Sequence, residues 1–515
     1  MAEVAIGIDL GTSNTVVAVI QDGRPKVIPN EWGEVVHPSI VHFDPNGSTT
    51  VGARAKKKLL LEPENSIYSF KRLIGRYFFS QEVKKSREMF PYRLVEGQNR
   101  DVRIEAHGKV YPVPEVSAHL LREMKRVAEG YLGRTVTKAV ITCPAHFNDS
   151  QRQATKDAGR IAGLDVLKIL NEPTAAALAY GYDKGLQQRV AVYDLGGGTF
   201  DITVLDINND IFEVRSTAGD TFLGGDDFDT RIMDYLITAF LEQTGIDLRH
   251  DRMAMQKLKE HAEWGKIQLS EVDRIEVSIP DIAQDEEGAL MLSALLTVKQ
   301  LAQMTYDLVQ KTFKVCDEAM QSANCSVNEI GGVVLVGGQT RSRFIRSAVE
   351  AYFSQRVQAN INPDEVVAIG AAVHAHQLVT RKRDAVLIDV TPMSLRVGTV
   401  GGFSDVVLPR NTPLPVEQSK TFVTASDQQE KVRIRIYQGE AREVDSDTLL
   451  GEFEFSGFRV AAKGEVEIQV TFDIDTNGIV SVSAVERESG TKAQTDVTFS
   501  QNLSETEIAR LSRAG

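Results

Sequence analysis

The 515-residue chain is longer than one hydrophobic core serves, and with 42% hydrophobic and 25% charged residues it has an ordinary globular composition, so two or more domains are expected. No apolar stretch reaches bilayer length, and a formal charge of −13 gives no general attraction to phosphate backbones despite the basic runs Lys56-Lys57-Lys58 and Arg381-Lys382-Arg383, which sets membranes and nucleic acids aside as partners. Cys143, Cys316 and Cys325 are odd in number and widely spaced, which argues against a disulfide framework or a zinc site; with an N-terminus that lacks a signal-like pattern, the expected location is cytoplasmic.

From Val4 to about Ala375, short apolar runs at 16–20, 139–141 and 333–336 alternate with helical stretches such as 117–128, an α/β pattern. After Lys382 the texture changes. Segments 421–423, 432–437, 466–474 and 479–485 alternate with period two between turn residues, as in an all-β domain. Asp475-Thr476-Asn477-Gly478 separates two of these runs, and its Asn-Gly pair supplies the φ > 0 positions of a tight hairpin. Between the two textures lies Ala385-Val386-Leu387-Ile388-Asp389. An ordinary linker is polar, so this apolar one either docks on a neighbour or is the first strand of the β domain.

Two segments repeat one design of strand, Gly-rich turn and strand: Asp9-Leu10-Gly11-Thr12-Ser13-Asn14 and Asp194-Leu195-Gly196-Gly197-Gly198-Thr199. Glycines let backbone N–H groups approach an anion, hydroxyls add donors, and an Asp at each strand end can hold Mg²⁺ through water. One Asp-x-Gly-Thr is usually just a turn; two of them half a domain apart can grip one polyphosphate from opposite sides. Gly337-Gly338-Gln339-Thr340-Arg341 comes directly after an apolar strand and is placed to meet a base or ribose at a helix N-terminus. Neither a P-loop nor a dinucleotide fingerprint is present.

These three elements resemble the phosphate-1, phosphate-2 and adenosine motifs of the actin, hexokinase and heat-shock chaperone superfamily. Lys71-Arg72-Leu73-Ile74-Gly75-Arg76, Phe147-Asn148-Asp149-Ser150-Gln151-Arg152, Asn171-Glu172-Pro173-Thr174 and the run 194–201 resemble signatures of the 70-kDa heat-shock (DnaK-like) chaperones, with matches from Ile6 to about Ile508. The resemblance implies an actin-like (ribonuclease H-like) α/β ATPase domain over 1–383, an apolar linker over 384–389, an all-β sandwich peptide-binding domain over 390–502 and the start of a truncated lid helix over 503–515. It implies an ATP-dependent chaperone whose nucleotide state controls binding and release of extended apolar peptides. The cofactors would be ATP or ADP with Mg²⁺, and K⁺ is compatible. A J-domain co-chaperone and a nucleotide exchange factor would be partners of a monomer.

Residue by residue, the same resemblance gives Asp9 and Asp194 the Mg²⁺ shell, Lys71 the attacking water and γ-phosphate, and Glu172, Thr199 and Asp201 the surrounding network. Gly11, Thr12, Ser13, Asn14, Gly196, Gly197, Gly198, Gly224 and Gly225 would line the phosphates; Glu263, Lys266, Ser270, Gly337, Gly338, Arg341 and Asp364 would surround adenosine, beside an unusual Trp264-Gly265. Pro144, Arg152 and Glu172 would relay the γ-phosphate state to the interface, with Leu387 and Asp389 in the linker and Lys168 at the co-chaperone contact. His146 stands where the family has Tyr, so the relay either responds to pH or is otherwise tuned, or the change is a tolerated surface substitution. The segment 389–395 resembles the first sandwich strand, and Val397, Thr399, Val400, Phe403, Phe422, Thr424, Ala425, Val432 and Ile434 would line the peptide groove. Without a lid, bound peptide should leave faster. Two other classes compete with this one: a small-molecule kinase of the superfamily, for which no acceptor base is evident, and a filament-forming ATPase, in which a C-terminal β sandwich has no place.

Overall fold

The computed structural model describes residues 3–182, 184–358, 361–380, 385–475, 480–496 and 503–514. The α/β region folds as two halves of related design. In the first, Ala5–Leu10 turns back on Asn14–Gln21 in antiparallel register and runs parallel to Lys138–Cys143, which in turn is parallel to Asp165–Asn171. In the second, Gln187–Leu195 turns back on Phe200–Asn208, which pairs with Ile211–Asp220, and runs parallel to Gly332–Val336. The parallel strands carry helices on both faces and are buried throughout their centres, which is why 139–141 and 333–336 read as unbroken apolar runs.

Helices Glu172–Gly181 and Val366–Thr380 lie between the halves. A Cβ on Gly370 would meet the Ala175 carbonyl oxygen at 1.7 Å and one on Gly7 would meet the Ala372 amide nitrogen at 2.1 Å, so glycine permits both close approaches. The hairpin Arg274–Asp285/Gly288–Thr297 packs with helices Gly225–Thr244 and Arg252–Gln268 around a separate core of Ile232, Leu236, Leu258, Ile279 and Leu296.

The C-terminal region is two four-stranded antiparallel sheets, one of Phe403–Leu408, Leu395–Thr399, Lys431–Gln438 and Thr448–Ser456, the other of Val416–Val423, Glu467–Ile474, Val480–Glu486 and Lys492–Asp496. Leu395, Ile436 and Leu450 from the first and Val470, Phe472 and Val482 from the second share one core. The Asn-Gly turn lies outside the described residues, and the strands on either side of it pair antiparallel with Ile474 opposite Val480.

One alternative reading and one expectation need correction. Val386–Ile388 is not the first strand of the β region: it adds to the second α/β sheet, parallel to Ile211, Phe212 and Glu213, because an apolar tripeptide finds there an open sheet edge and the partly buried surface around Phe212. Nor is 389–395 a strand. Pro392 has no amide hydrogen to give a ladder, Val390 makes only an isolated bridge with Pro413, and pairing starts at Leu395.

Helix Glu505–Ala514 packs on the first α/β half rather than on the β sheets. Leu503, Ile508 and Leu511 join that half's core, Arg160 holds Glu505 at 2.8 and 2.6 Å, and Arg103 reaches Glu507 at 3.2 Å. Among the described residues no helix is long and apolar enough to cross a membrane.

Candidate functional site

A cleft of about 340 Å³ opens between the α/β halves where the two Gly-rich turns face each other. Gly11, Thr12, Ser13 and Asn14 line it from the first half, and Gly196, Gly197, Thr199 and Gly225 from the second. The two turns are close: a methyl group on Gly197 would lie 1.9 Å from Ser13 Oγ. A third wall comes from Gly337, Gly338, Gln339 and Arg341 with Asp364, whose carboxylate accepts a hydrogen bond from Arg341 Nε at 2.8 Å. Gly337 has φ 82°, and a Cβ there would strike the Leu195 carbonyl at 2.4 Å, so only glycine lets the chain leave its strand across the second Gly-rich turn. The chain then enters the 3₁₀ turn Gly338–Arg341, where a helix N-terminus was expected.

The charged residues gather at the strand ends. Asp9 and Asp194 are the penultimate residues of equivalent strands, Asp201 is opposite Asp194 in register, and Glu172 opens a helix after Asn171. Lys71 Nζ donates to Glu172 Oε1 at 2.5 Å, Thr142 Oγ1 donates to Asp9 Oδ1 at 3.0 Å, and the His146 amide donates to Asp201 Oδ1 at 3.0 Å. Burial, with Glu172 adding repulsion, raises Asp9 to about 7 and holds Asp194 and Asp201 well above the usual carboxylate range. Burial alone would lower the Lys71 amine, but Glu172 and Asp9 outweigh it and the net shift is upward.

One ammonium facing this many buried carboxylates leaves the site short of positive charge, and that donor set fits a cation. Among the described residues no three His, Cys, Asp or Glu side chains form a ligand cage. Mg²⁺ does not need one, since it keeps several waters and takes one or two carboxylates together with substrate phosphates.

Most of the expected residues meet in this cleft, including Glu263 and Lys266. Lys266 is held by Asp229 at 2.8 Å and donates to the Gly225 carbonyl at 3.0 Å, and Lys56 bridges the cleft to Glu263 at 3.1 Å. Gly198, Gly224, Asp201 and Ser270 lie outside the lining. Asp201 is turned toward the His146 amide, and Ser270 sits past the end of helix Arg252–Gln268. Trp264 projects into solvent at 45% exposure, away from the cleft lining. Sequence reading missed Val16, Ile267, Val336, Pro363 and Val367, which also line the cleft, as does Gln339 of the quoted adenosine element. Ile267, four residues after Glu263 on the same helical face, was the findable one.

Beneath the cleft, Arg152 braces the segment that carries Pro144. Its guanidinium donates to the carbonyls of Phe147 at 3.0 Å and Ala145 at 2.7 Å. Arg152, Lys168, Asn171 and Asp389 line a small cavity between the α/β and β regions with Asp149 and Gln438, and Leu387 pairs with Phe212 beside it. His146 is no surface position. Its Nδ1 is buried without a partner, and burial lowers it to about 4, so a simple charge change near neutral pH is not expected while the regions are docked.

In the β region a cavity of about 840 Å³ is lined by Val397, Thr399, Val400, Phe422, Ala425, Val432 and Ile434. Thr424 is buried and its hydroxyl accepts the Gly464 amide at 3.3 Å; Phe403, 41% exposed, lies outside the lining under Arg442.

The family model for the Hsp70 protein matches residues 5–514, nearly the whole chain, and this chain is therefore a member of the Hsp70 family.

Proposed function

We propose that the chain is an ATP-hydrolysing chaperone that binds extended apolar peptide segments, with nucleotide state in the cleft controlling the peptide groove. Hsp70 family membership supports a chaperone role and ATPase activity with ATP, ADP and Mg²⁺ in general terms. The observation that carries the finer reading is the unbroken connection from the cleft to the β region: Glu172 meets Lys71 in the cleft, and its neighbour Asn171 holds Asp389 at the interface. On this reading 1–383 is an actin-like ATPase domain, 384–389 a docked linker, 390–502 the peptide-binding sandwich and 503–515 the start of a lid helix.

Phosphoryl transfer to water needs orientation and charge neutralisation more than covalent help. The amides of both Gly-rich turns, with the Thr12, Ser13 and Thr199 hydroxyls, would hold the phosphates, and Lys71 would orient the attacking water beside the γ-phosphate. Asp9 and Asp194 would hold Mg²⁺, which supplies the neutralisation of phosphate charge. Glu172 keeps Lys71 protonated and placed. In the groove, an extended peptide would lay one apolar side chain into the space among Phe422, Val432 and Ile434 and hydrogen-bond to the flanking loop backbone.

The decisive experiment is the ATPase rate of the whole chain with and without an unfolded apolar peptide, compared with a version ending at residue 383. Acceleration of the whole chain alone is the expected result. An equal response, or none, from both would refute coupling.

A further inference from the structure

The residue after Lys71 does something the motif does not announce. Arg72 is 1% exposed, and its guanidinium crosses from the first α/β half to the second. Nη2 donates to Asp227 Oδ2 at 3.0 Å, Nε lies 3.7 Å from Asp226 Oδ2, and the guanidinium carbon sits 4.5 Å above the Phe222 ring. Two flanking residues cross the same gap, since Ser69 donates to Asp226 at 2.8 Å and Arg76 to Thr221 at 2.8 Å.

Asp227 is the informative partner. The carboxylate oxygen that receives Arg72 also accepts the Gly224 amide at 2.8 Å. From there the Gly225 amide donates to Gly196 and the Asp226 amide to Gly197, at 2.9 and 2.8 Å, so three hydrogen bonds in series lead from Arg72 to the backbone of the second phosphate turn. It also abuts that turn directly, because a methyl on Gly198 would lie 2.8 Å from Arg72 Nε and 2.6 Å from Thr12 Cγ2. Arg72 does not line the cleft. Its Nε and Nη1 find no hydrogen-bond acceptor, so the side chain is held by its one hydrogen bond to Asp227, by charge and by packing, at some desolvation cost.

Resting on the ATPase reading, we propose that Arg72 is a positioning residue for hydrolysis. It fixes Lys71, its chain neighbour on one half, in register with the phosphate-2 turn on the other. The two halves contribute Lys71 and the Gly196–Gly197 amides separately, so their relative placement sets the alignment of water and γ-phosphate; a displacement of about 1 Å can cost on the order of 100-fold in rate.

The test uses the whole chain. Arg72→Met, which removes the charge but keeps most of the volume, should lower kcat for ATP by about 10- to 100-fold with a much smaller change in KM. It should also accelerate hydrogen exchange at the Gly224 to Asp227 amides, a readout independent of catalysis. Arg72→Lys should restore exchange protection but only part of kcat, because a point charge cannot reproduce the planar fork. Asp227→Asn combined with Arg72→Met should cost little more than either alone, as for two residues acting through one contact. Unchanged kcat and exchange in Arg72→Met, or fully additive losses in the double variant, overturn the proposal. If the wild type hydrolyses no ATP, the parent reading fails, and the amide exchange at 224–227 decides whether the clamp exists.

Discussion

Asn171 Nδ2 donates to both carboxylate oxygens of Asp389, at 3.1 and 2.9 Å, tying the residue before Glu172 to the residue after the linker strand Val386–Ile388. Asp389 Oδ1 also accepts the Val390 amide at 2.9 Å, so one side chain holds the end of the linker against the α/β region and fixes the entry to the β region. Removing it frees both ends at once. Asp389→Ala should abolish peptide stimulation of the ATPase, and Asn171→Ala should weaken it, since each hydrogen bond to a charged group contributes about 1.5–3 kcal/mol. Steady-state rates with and without a saturating peptide would check this; full stimulation in Asp389→Ala would refute the coupling route.

Lys71→Met removes the ammonium paired with Glu172 and leaves a buried carboxylate without that partner. Loss of one preorganised donor in a water-poor site costs on the order of 100- to 1000-fold in kcat. On the proposed reading the turn amides carry most of the nucleotide binding, so ADP affinity should change far less. Single-turnover hydrolysis beside an equilibrium ADP titration separates the two.

Val432 lines the 840 Å³ cavity of the β region and is only partly buried, so a larger side chain there fills space without first breaking the core. Val432→Phe should weaken binding of an apolar heptapeptide by about 10- to 100-fold, the value of one apolar side chain excluded from its pocket. Fluorescence anisotropy would measure it, and unchanged affinity would place the peptide elsewhere.

Two groups at the docking surface titrate in opposite senses. Burial lowers His146 from 6.5 to about 4, and the charges facing it are Asp220, Arg152, Arg410 and Glu440. When the regions separate, the ring regains water, so protonation favours separation as pH falls from 6.5 toward 4, by up to about tenfold per pH unit. Burial raises Asp149 from 3.8 to about 6, so its protonation favours the docked form as pH falls from 6 toward 3.8. The wild type should therefore show only a shallow dependence. Docking of His146→Gln, left with Asp149, should strengthen as pH falls below 6, and that of Asp149→Asn, left with His146, should weaken, as read by energy transfer between dyes on the two regions. Parallel curves for the two variants would show that docking does not bury these groups.

Ile508 is 4% exposed where helix Glu505–Ala514 meets the first α/β half. Ile508→Asp should release the helix, seen as faster amide exchange within 505–514 and fresh protease sensitivity before it, because an unpaired carboxylate cannot stay in that apolar contact. An unchanged exchange pattern would mean the helix is held by the Arg160 and Arg103 ion pairs alone.

Whatever depends on neighbours in the chain was legible before folding. Asp9 and Asp194 precede glycines at strand ends, and backbone chemistry dictates such turns wherever they occur; the alternation in 466–474 and 479–485 fixed a hairpin because side-chain period and turn conformation are local properties. The register that brings Lys71 to Glu172, 101 residues away, could be carried over only through family resemblance. Tertiary structure alone decided the pairings between distant surfaces. The strand Val386–Ile388 found the edge of Ile211–Asp220, Ile508 and Leu511 chose the α/β core over the β sheets, and Arg72 reached from one α/β half to Asp227 on the other. An apolar tripeptide, an amphipathic helix and an arginine each have many acceptable partners by sequence. The folded chain selects among them by the free sheet edges, uncovered apolar patches and unpaired carboxylates left once the local elements have packed.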